Sequence, residues 1–132
     1  VILDTHTLLW MDRNDSALGS EARRRIEADW QAGRVAVSAI SFWEVAILAE
    51  RGRIVLPKPV TLWREDWIRT GLIEFPVDGR IALLATQLEN LHRDPADRFI
   101  MATAIECNMP LMTADRLILS WTGSLVRVPA DV

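Results

Sequence analysis

Residues 92–115 read His-Arg-Asp-Pro-Ala-Asp-Arg-Phe-Ile-Met-Ala-Thr-Ala-Ile-Glu-Cys-Asn-Met-Pro-Leu-Met-Thr-Ala-Asp. Asp94 and Pro95 have the form of an N-cap followed by proline at the first helical position, where a missing N–H costs nothing. Asp97 then falls at the third helical position, where its charge complements the macrodipole and its carboxylate is also placed to point outward. From Phe99 to Ile105 the pattern is apolar all round, so the predicted helix, running to Cys107, is buried between other elements. A short buried strand from Pro110 delivers a further carboxylate, Asp115. In a parallel sheet, a helix that starts at one edge and a strand that returns to that edge bring their acidic ends together.

The same design recurs upstream. Val1-Ile2-Leu3-Asp4 is a short apolar run ending in an acid, which reads as a buried strand. A short helix follows over residues 5–11, and Asp4 is either its N-cap or a site residue. Residues 17–32 predict an amphipathic helix, with Ala22, Ile26 and Trp30 at four-residue spacing and Gly33 at its end. Its arginines, Arg23, Arg24 and Arg25, read as a solvated face in preference to an RNA contact. Residues 35–38 form a second strand candidate, feeding an apolar helix over residues 40–50 that Gly52 closes. Glu44 is the only charge between Phe42 and Ala49. With Ser41 it has capping-box spacing; alternatively, one turn into a helix that follows a strand, it reaches the edge that carries Asp4.

Residues 52–60, with Pro57 and Pro59, are a rigid connection that separates elements and not domains. The helix predicted over residues 61–70 places Trp63 and Trp67 on one face, as core or subunit-interface residues before stacking platforms for bases. Residues 72–77 predict a third strand, and Pro76, which cannot donate to a ladder, marks either an edge strand or a strand end. Asp78 caps a helix whose stripe is Ile81, Leu84, Ala85 and Leu88. A last strand is expected over residues 125–128, and no internal repeat or low-complexity segment appears.

At 132 residues, half of them hydrophobic and a quarter charged, the chain suits one globular domain spanning residues 1–132. Its apolar runs are too short to span a bilayer and its first residues lack a basic signal, so a cytoplasmic protein without a membrane partner is expected. The start at Val1 implies that an initiator methionine is not part of this chain. Cys107, the one cysteine, cannot form an internal disulfide and reads as a reduced core thiol. A net charge of −3 argues against electrostatic wrapping of nucleic acid over a whole face. It leaves RNA open as a substrate, since an acid cluster that recruits divalent cations inverts its local electrostatics.

Alternating strands and helices predict an α/β sandwich with a mainly parallel sheet, in which ligands bind at the carboxyl ends of the strands. Asp4, Glu44, Asp97 and Asp115 all belong to that edge. Four independent caps converging there are less plausible than one site. Crowded carboxylates raise one another's pKa unless cations neutralise them, so the cluster predicts bound metal. Oxygen ligands without a cysteine or histidine cluster favour Mg²⁺ or Mn²⁺ over zinc. The reaction best served is hydrolysis of a phosphodiester.

Five ordered motifs now carry a likeness. Leu3-Asp4-Thr5-His6, Ser38-x-x-Ser41-x-Trp43-Glu44, residues 53–57, Asp94-Pro95-Ala96-Asp97-Arg98 and Thr113-Ala114-Asp115 resemble the spaced motifs of PIN-domain ribonucleases, and most of all the VapC toxins of type II toxin-antitoxin systems. The resemblance runs nearly end to end and implies a PIN-like three-layer α/β/α sandwich. It also implies a metal-dependent endoribonuclease whose catalytic, metal-binding acids are Asp4, Glu44, Asp97 and Asp115, with Asp94 auxiliary at most. Thr5 and Thr113 would orient carboxylates or water through their hydroxyls, and Arg98 would meet RNA phosphate or a neighbouring carboxylate. The implied partners are RNA, a second copy in a homodimer, and a VapB-like antitoxin whose C-terminal segment fills an apolar groove and sets a basic residue near the acids. Trp10, Trp43 and Ile47 are positions for that groove, although aromatic residues at helical spacing read first as core.

Other classes fit less well. An aspartyl-phosphate phosphatase wants a second acid two residues after its nucleophile, and His6 stands there. A receiver-like phosphoacceptor needs a lysine at a strand end, whereas Lys58 lies in the proline-flanked connection. The remaining rival is a catalytically inactive PIN-domain scaffold that binds RNA or an antitoxin.

Overall fold

A computed structural model describes residues 1–91 and 94–132; His92 and Arg93 of the opening stretch lie outside the described residues. The chain runs β1 (Ile2–Leu3), α1 (Thr5–Arg13), α2 (Ser20–Gln31), β2 (Ala36–Ser38), α3 (Ile40–Glu50) and α4 (Val60–Thr70). It continues through β3 (Ile73–Phe75), α5 (Gly79–Thr86), α6 (Pro95–Glu106), β4 (Leu111–Thr113), α7 (Arg116–Leu119) and β5 (Arg127–Pro129).

The strands form one all-parallel sheet in the order β3-β2-β1-β4-β5. The three middle strands are buried throughout, as strands covered on both faces must be. Alternation along each strand divides the core. Leu3, Val37 and Met112 pack with residues of α1, α2 and α4 on one face. Ile2, Ala36 and Leu111 pack with residues of α6 and α7 on the other. This is the expected three-layer α/β/α sandwich. Burying each large aliphatic side chain stabilises it by about 1.5–3 kcal/mol.

The edge position of β3 agrees with the reading of Pro76. Trp63 is buried and Trp67 half-buried, and both indole N–H groups donate to Asp12 Oδ1 at 3.0 Å, so this pair belongs to the packing and not to a base-binding surface. Several boundaries differ from expectation. The helix expected from residue 17 begins at Ser20, because Asp15 accepts the Ala17 N–H and holds that segment in a turn. The stripe assigned to α5 loses Leu88, which lies past the helix end but still enters the core. The last strand is shifted to Arg127–Pro129, where it pairs with β4. Helix α7 was not expected at all. Cys107 is a free thiol at the C-cap of α6, half-buried and not fully in the core; burial pushes its pKa up, away from a nucleophile's range.

Among the described residues, no helix is long and apolar enough to cross a membrane.

Candidate active site

Every strand in a parallel sheet ends on the same edge, so helices that follow β1, β2 and β4 start there and carry their first side chains with them. Asp4 leaves β1 and caps α1: its Oδ1 accepts the Thr7 N–H at 2.8 Å. Its Oδ2 accepts the Thr113 hydroxyl from the end of β4. Asp4 is only 6% exposed, and both oxygens are held. Asp4 is thus the N-cap of α1, and its second oxygen is held by a residue of β4 as well.

Thr113 ties two acids together. Its hydroxyl oxygen accepts the Asp115 N–H at 3.0 Å while its proton goes to Asp4. Asp115 in turn caps α7, with Oδ1 accepting the N–H of Leu117 at 2.8 Å and of Ile118 at 3.4 Å. That cap was not anticipated, since α7 itself was not.

Glu44 sits in the second turn of α3. The capping-box reading fails: the N-cap of α3 is Ala39, without a side-chain bond, and Ser41 lies inside the helix. Glu44 Oε1 instead accepts the Thr5 hydroxyl, whose oxygen lies 3.0 Å from Ser41 Oγ. Burial is the chief cause that pushes the Glu44 pKa up. The Thr5 hydrogen bond opposes it, the charges of Asp97 and Asp94 add to it, and His6 opposes it weakly. A buried carboxylate that feels two others is a position where a cation would bind favourably.

Asp94 caps α6 as expected, accepting the N–H of Ala96 at 3.0 Å and of Asp97 at 3.4 Å. Asp97 follows in the first turn of that helix. Arg98 makes contacts that the sequence did not suggest. Its guanidinium donates to the carbonyls of Ala85 and Leu88 at 3.0 and 3.1 Å and of Leu91 at 3.2 Å. It thereby fastens the end of α5 and the following turn to the first turn of α6. These three bonds tie the side chain of Arg98 to the backbone that precedes α6.

Asp4, Glu44, Asp97 and Asp115 line a single cavity of about 370 Å³, together with Thr5, His6, Trp10 and Asp94. Sequence reasoning did not single out His6 as a lining residue; its place directly after Asp4-Thr5 was the available signal. Among the described residues, no group of three or more histidine, cysteine, aspartate or glutamate side chains converges closely enough to grip an ion. Among the described residues, the acids border one cavity without such a convergence. The donor set is dominated by carboxylate oxygen, with one imidazole, His6, and no thiol, and so fits a hard divalent cation better than zinc.

One sequence expectation is reversed nearby. Trp43 is 58% exposed and borders the surface beside this cavity, so it is not core.

Comparison with known proteins agrees with this architecture. Residues 1–120 match the PIN domain family. Ribonuclease VapC22 of Mycobacterium tuberculosis is 38% identical over 123 residues, covering 91% of this chain and 90% of that protein. Among solved structures, the DNA-bound VapBC from Salmonella typhimurium superposes with a TM-score of 0.73 at 20% identity, covering 97% of this chain and 96% of that one. VapBC2 from Rickettsia felis, bound to a DNA fragment from its promoter, also gives 0.73, at 15% identity and the same coverage. At those identities the structures speak for the fold, whereas the family match and the 38% relative speak for descent: the chain belongs to the PIN-domain family and, within it, to the VapC group.

Proposed function

We propose that this chain is a metal-dependent endoribonuclease toxin, held inactive by a VapB-like antitoxin. The observation that carries the reading is the single cavity in which Asp4, Glu44, Asp97 and Asp115 face one another at the carboxyl edge of the sheet. These four carboxylates would hold Mg²⁺ or Mn²⁺. When bound there, such an ion activates water and offsets charge that develops on the phosphate.

The chain's own residues set the stage for that chemistry. Thr113 and the Thr7 N–H fix both oxygens of Asp4, and the Thr5 hydroxyl fixes one oxygen of Glu44. Fixed ligand orientation matters because outer-shell hydrogen bonds typically govern affinity by about 10–100-fold. Asp94 and Arg98 hold the first turn of α6 in place, and Asp97 with it. RNA is the substrate class that the VapC membership favours, and the net charge of −3 makes divalent cations the natural intermediary for a polyanion. The same membership supports a homodimer, working in the cytoplasm, whose antitoxin reaches the acids with a basic side chain.

The test is cleavage of total RNA by antitoxin-free protein in Mg²⁺ or Mn²⁺, against EDTA and against Asp4→Asn. Discrete cuts that need the metal and vanish in the variant are expected. A folded wild type as inert as its variant would replace this reading with the inactive scaffold.

A further inference from the structure

Trp43 and Glu44 are neighbours on α3 but serve different surfaces. The Glu44 carboxylate lines the acid cavity, while the Trp43 indole borders an adjoining groove of about 450 Å³. The two hollows share His6, Glu44 and Asp94, so the groove is continuous with the site. Trp43 and Ile47 share one face of α3, and Arg51, the C-cap residue, continues the same four-residue spacing along the groove. At 1.5 Å per residue Arg51 lies about 12 Å along the helix from Trp43.

The chemistry changes sign along that face. The end shared with the cavity carries carboxylates; the far end carries an exposed guanidinium. Arg64 is engaged by Glu74 and Arg25 by Asp29, whereas Arg51 makes no ion pair among the described residues. Between the two ends stand a large exposed ring and an aliphatic wall. A polymer whose phosphate lies at the acids must leave the cavity, and this groove offers it an aromatic face and then a cation. A nucleic acid strand alternates those two chemistries, a flat base and a phosphate.

We propose that Trp43 is a stacking platform for an unpaired RNA base next to the scissile phosphate, with Arg51 receiving a phosphate farther along the strand. The assignment rests on the ribonuclease reading above and adds a subsite to it. Stacking on an exposed ring tolerates any base, so Trp43 supplies affinity and a requirement for unpaired RNA, while sequence choice lies elsewhere.

Two measurements test it. In steady-state cleavage with Mg²⁺, Trp43→Ala should raise KM about tenfold, the order that loss of one base stack produces, and leave kcat within about twofold. Trp43→Phe, which keeps a ring, should recover most of the loss. Independently of turnover, a mixed-sequence single-stranded RNA 12-mer titrated into Asp4→Asn protein with Mg²⁺ should quench tryptophan fluorescence. That quenching should fall by more than half in Asp4→Asn/Trp43→Leu and persist in Asp4→Asn/Trp10→Leu, and Arg51→Met should weaken binding more at low salt than at high salt. If wild type cuts RNA but Trp43→Ala matches it in KM and the quenching persists without Trp43, the subsite is wrong and the groove is left to a protein segment. If kcat falls with KM unchanged, and Phe fails to rescue, Trp43 acts by placing Glu44 and the proposal is overturned. If wild type cuts nothing, the ribonuclease reading fails, and the quenching titration still decides whether Trp43 meets a base.

Discussion

The two ends of strand β4 face opposite edges of one sheet, and each end opens on a cavity. At its exit, Ala114 and Asp115 border the 370 Å³ acid cavity. At its start, Met109 and Pro110 border a larger one of about 680 Å³, walled by Ala104, Ile105, Asn108 and the stretch of residues 123–126. The larger hollow has no titratable lining residue. The smaller has five carboxylates and a histidine. Volume therefore says little about chemistry here; strand direction says more. Parallel strands release their side chains into helix N-termini at one edge only, where caps such as Asp4 and Asp115 are structurally favoured and already hydrogen-bonded. Three of the cavity's five carboxylates, Asp4, Asp94 and Asp115, are residues that the fold would select as caps in any case, whereas Glu44 and Asp97 lie inside helices.

The sharpest way to break that account is to keep a cap and remove its charge. Asparagine caps as well as aspartate. Asp115→Asn should leave α7 and the melting temperature intact yet lower RNA cleavage by about a hundredfold or more, since even outer-shell partners of a metal cost 10–100-fold. Asp94→Asn, at the cap of α6, should lose much less. Equal, small losses in both variants would mean that Asp115 is a cap and nothing else.

Next in size is the hydroxyl that joins the two acids. Thr113→Val keeps the shape but strands the buried Asp4 Oδ2 without its donor. Cleavage should fall about 10–100-fold and stability by about 1–3 kcal/mol, measured by urea unfolding. Thr113→Ser should restore both. A valine variant with full activity would show that Asp4 needs no help in facing the cavity.

Much of this was readable in the sequence. The short apolar runs that end before Asp4 and Asp115 announce buried strands, and Asp94-Pro95 announces the start of α6, through local rules about burial and caps. What escaped depends on partners distant in sequence or on elements too short to show a period. Helix α7 has four residues, less than the two turns over which a periodic stripe declares itself. Helix α3 is apolar almost all round, so nothing in its pattern distinguishes the face of Val45, fully buried, from that of Trp43, exposed. Three hydrogen bonds of Arg98 go to backbone carbonyls, which every residue carries and no motif reveals. Glu44 illustrates the same limit: its spacing from Ser41 suggested a local bond, and a hydroxyl 39 residues away took it instead.

Glu44 also sharpens the contrast between the edges through pH. Burial, with Asp97 and Asp94 nearby, holds its pKa above the ordinary glutamate range. Between the ordinary value and the raised one, the folded protein keeps a proton that the unfolded chain has released. The metal-free protein should therefore lose stability from this group as pH rises through that window, and keep it below. Glu44→Gln cannot titrate, so the difference in urea midpoint, wild type minus variant, should fall with rising pH in EDTA. Mg²⁺ should flatten that difference by favouring the ionised carboxylate. A difference independent of pH would place no proton on Glu44 in the folded state.

The smallest effect belongs to the other end of β4. Val126 lines the larger cavity and is 66% exposed. Val126→Glu introduces a carboxylate into a hollow that has none, at a surface position where substitutions change stability by roughly 0.5 kcal/mol or less. If strand direction confines the chemistry to the acid edge, RNA cleavage should stay within about twofold of wild type at every Mg²⁺ concentration. A carboxylate there that altered the metal dependence would show the two edges to be coupled through β4, with the hollow at its start acting on the acids at its exit.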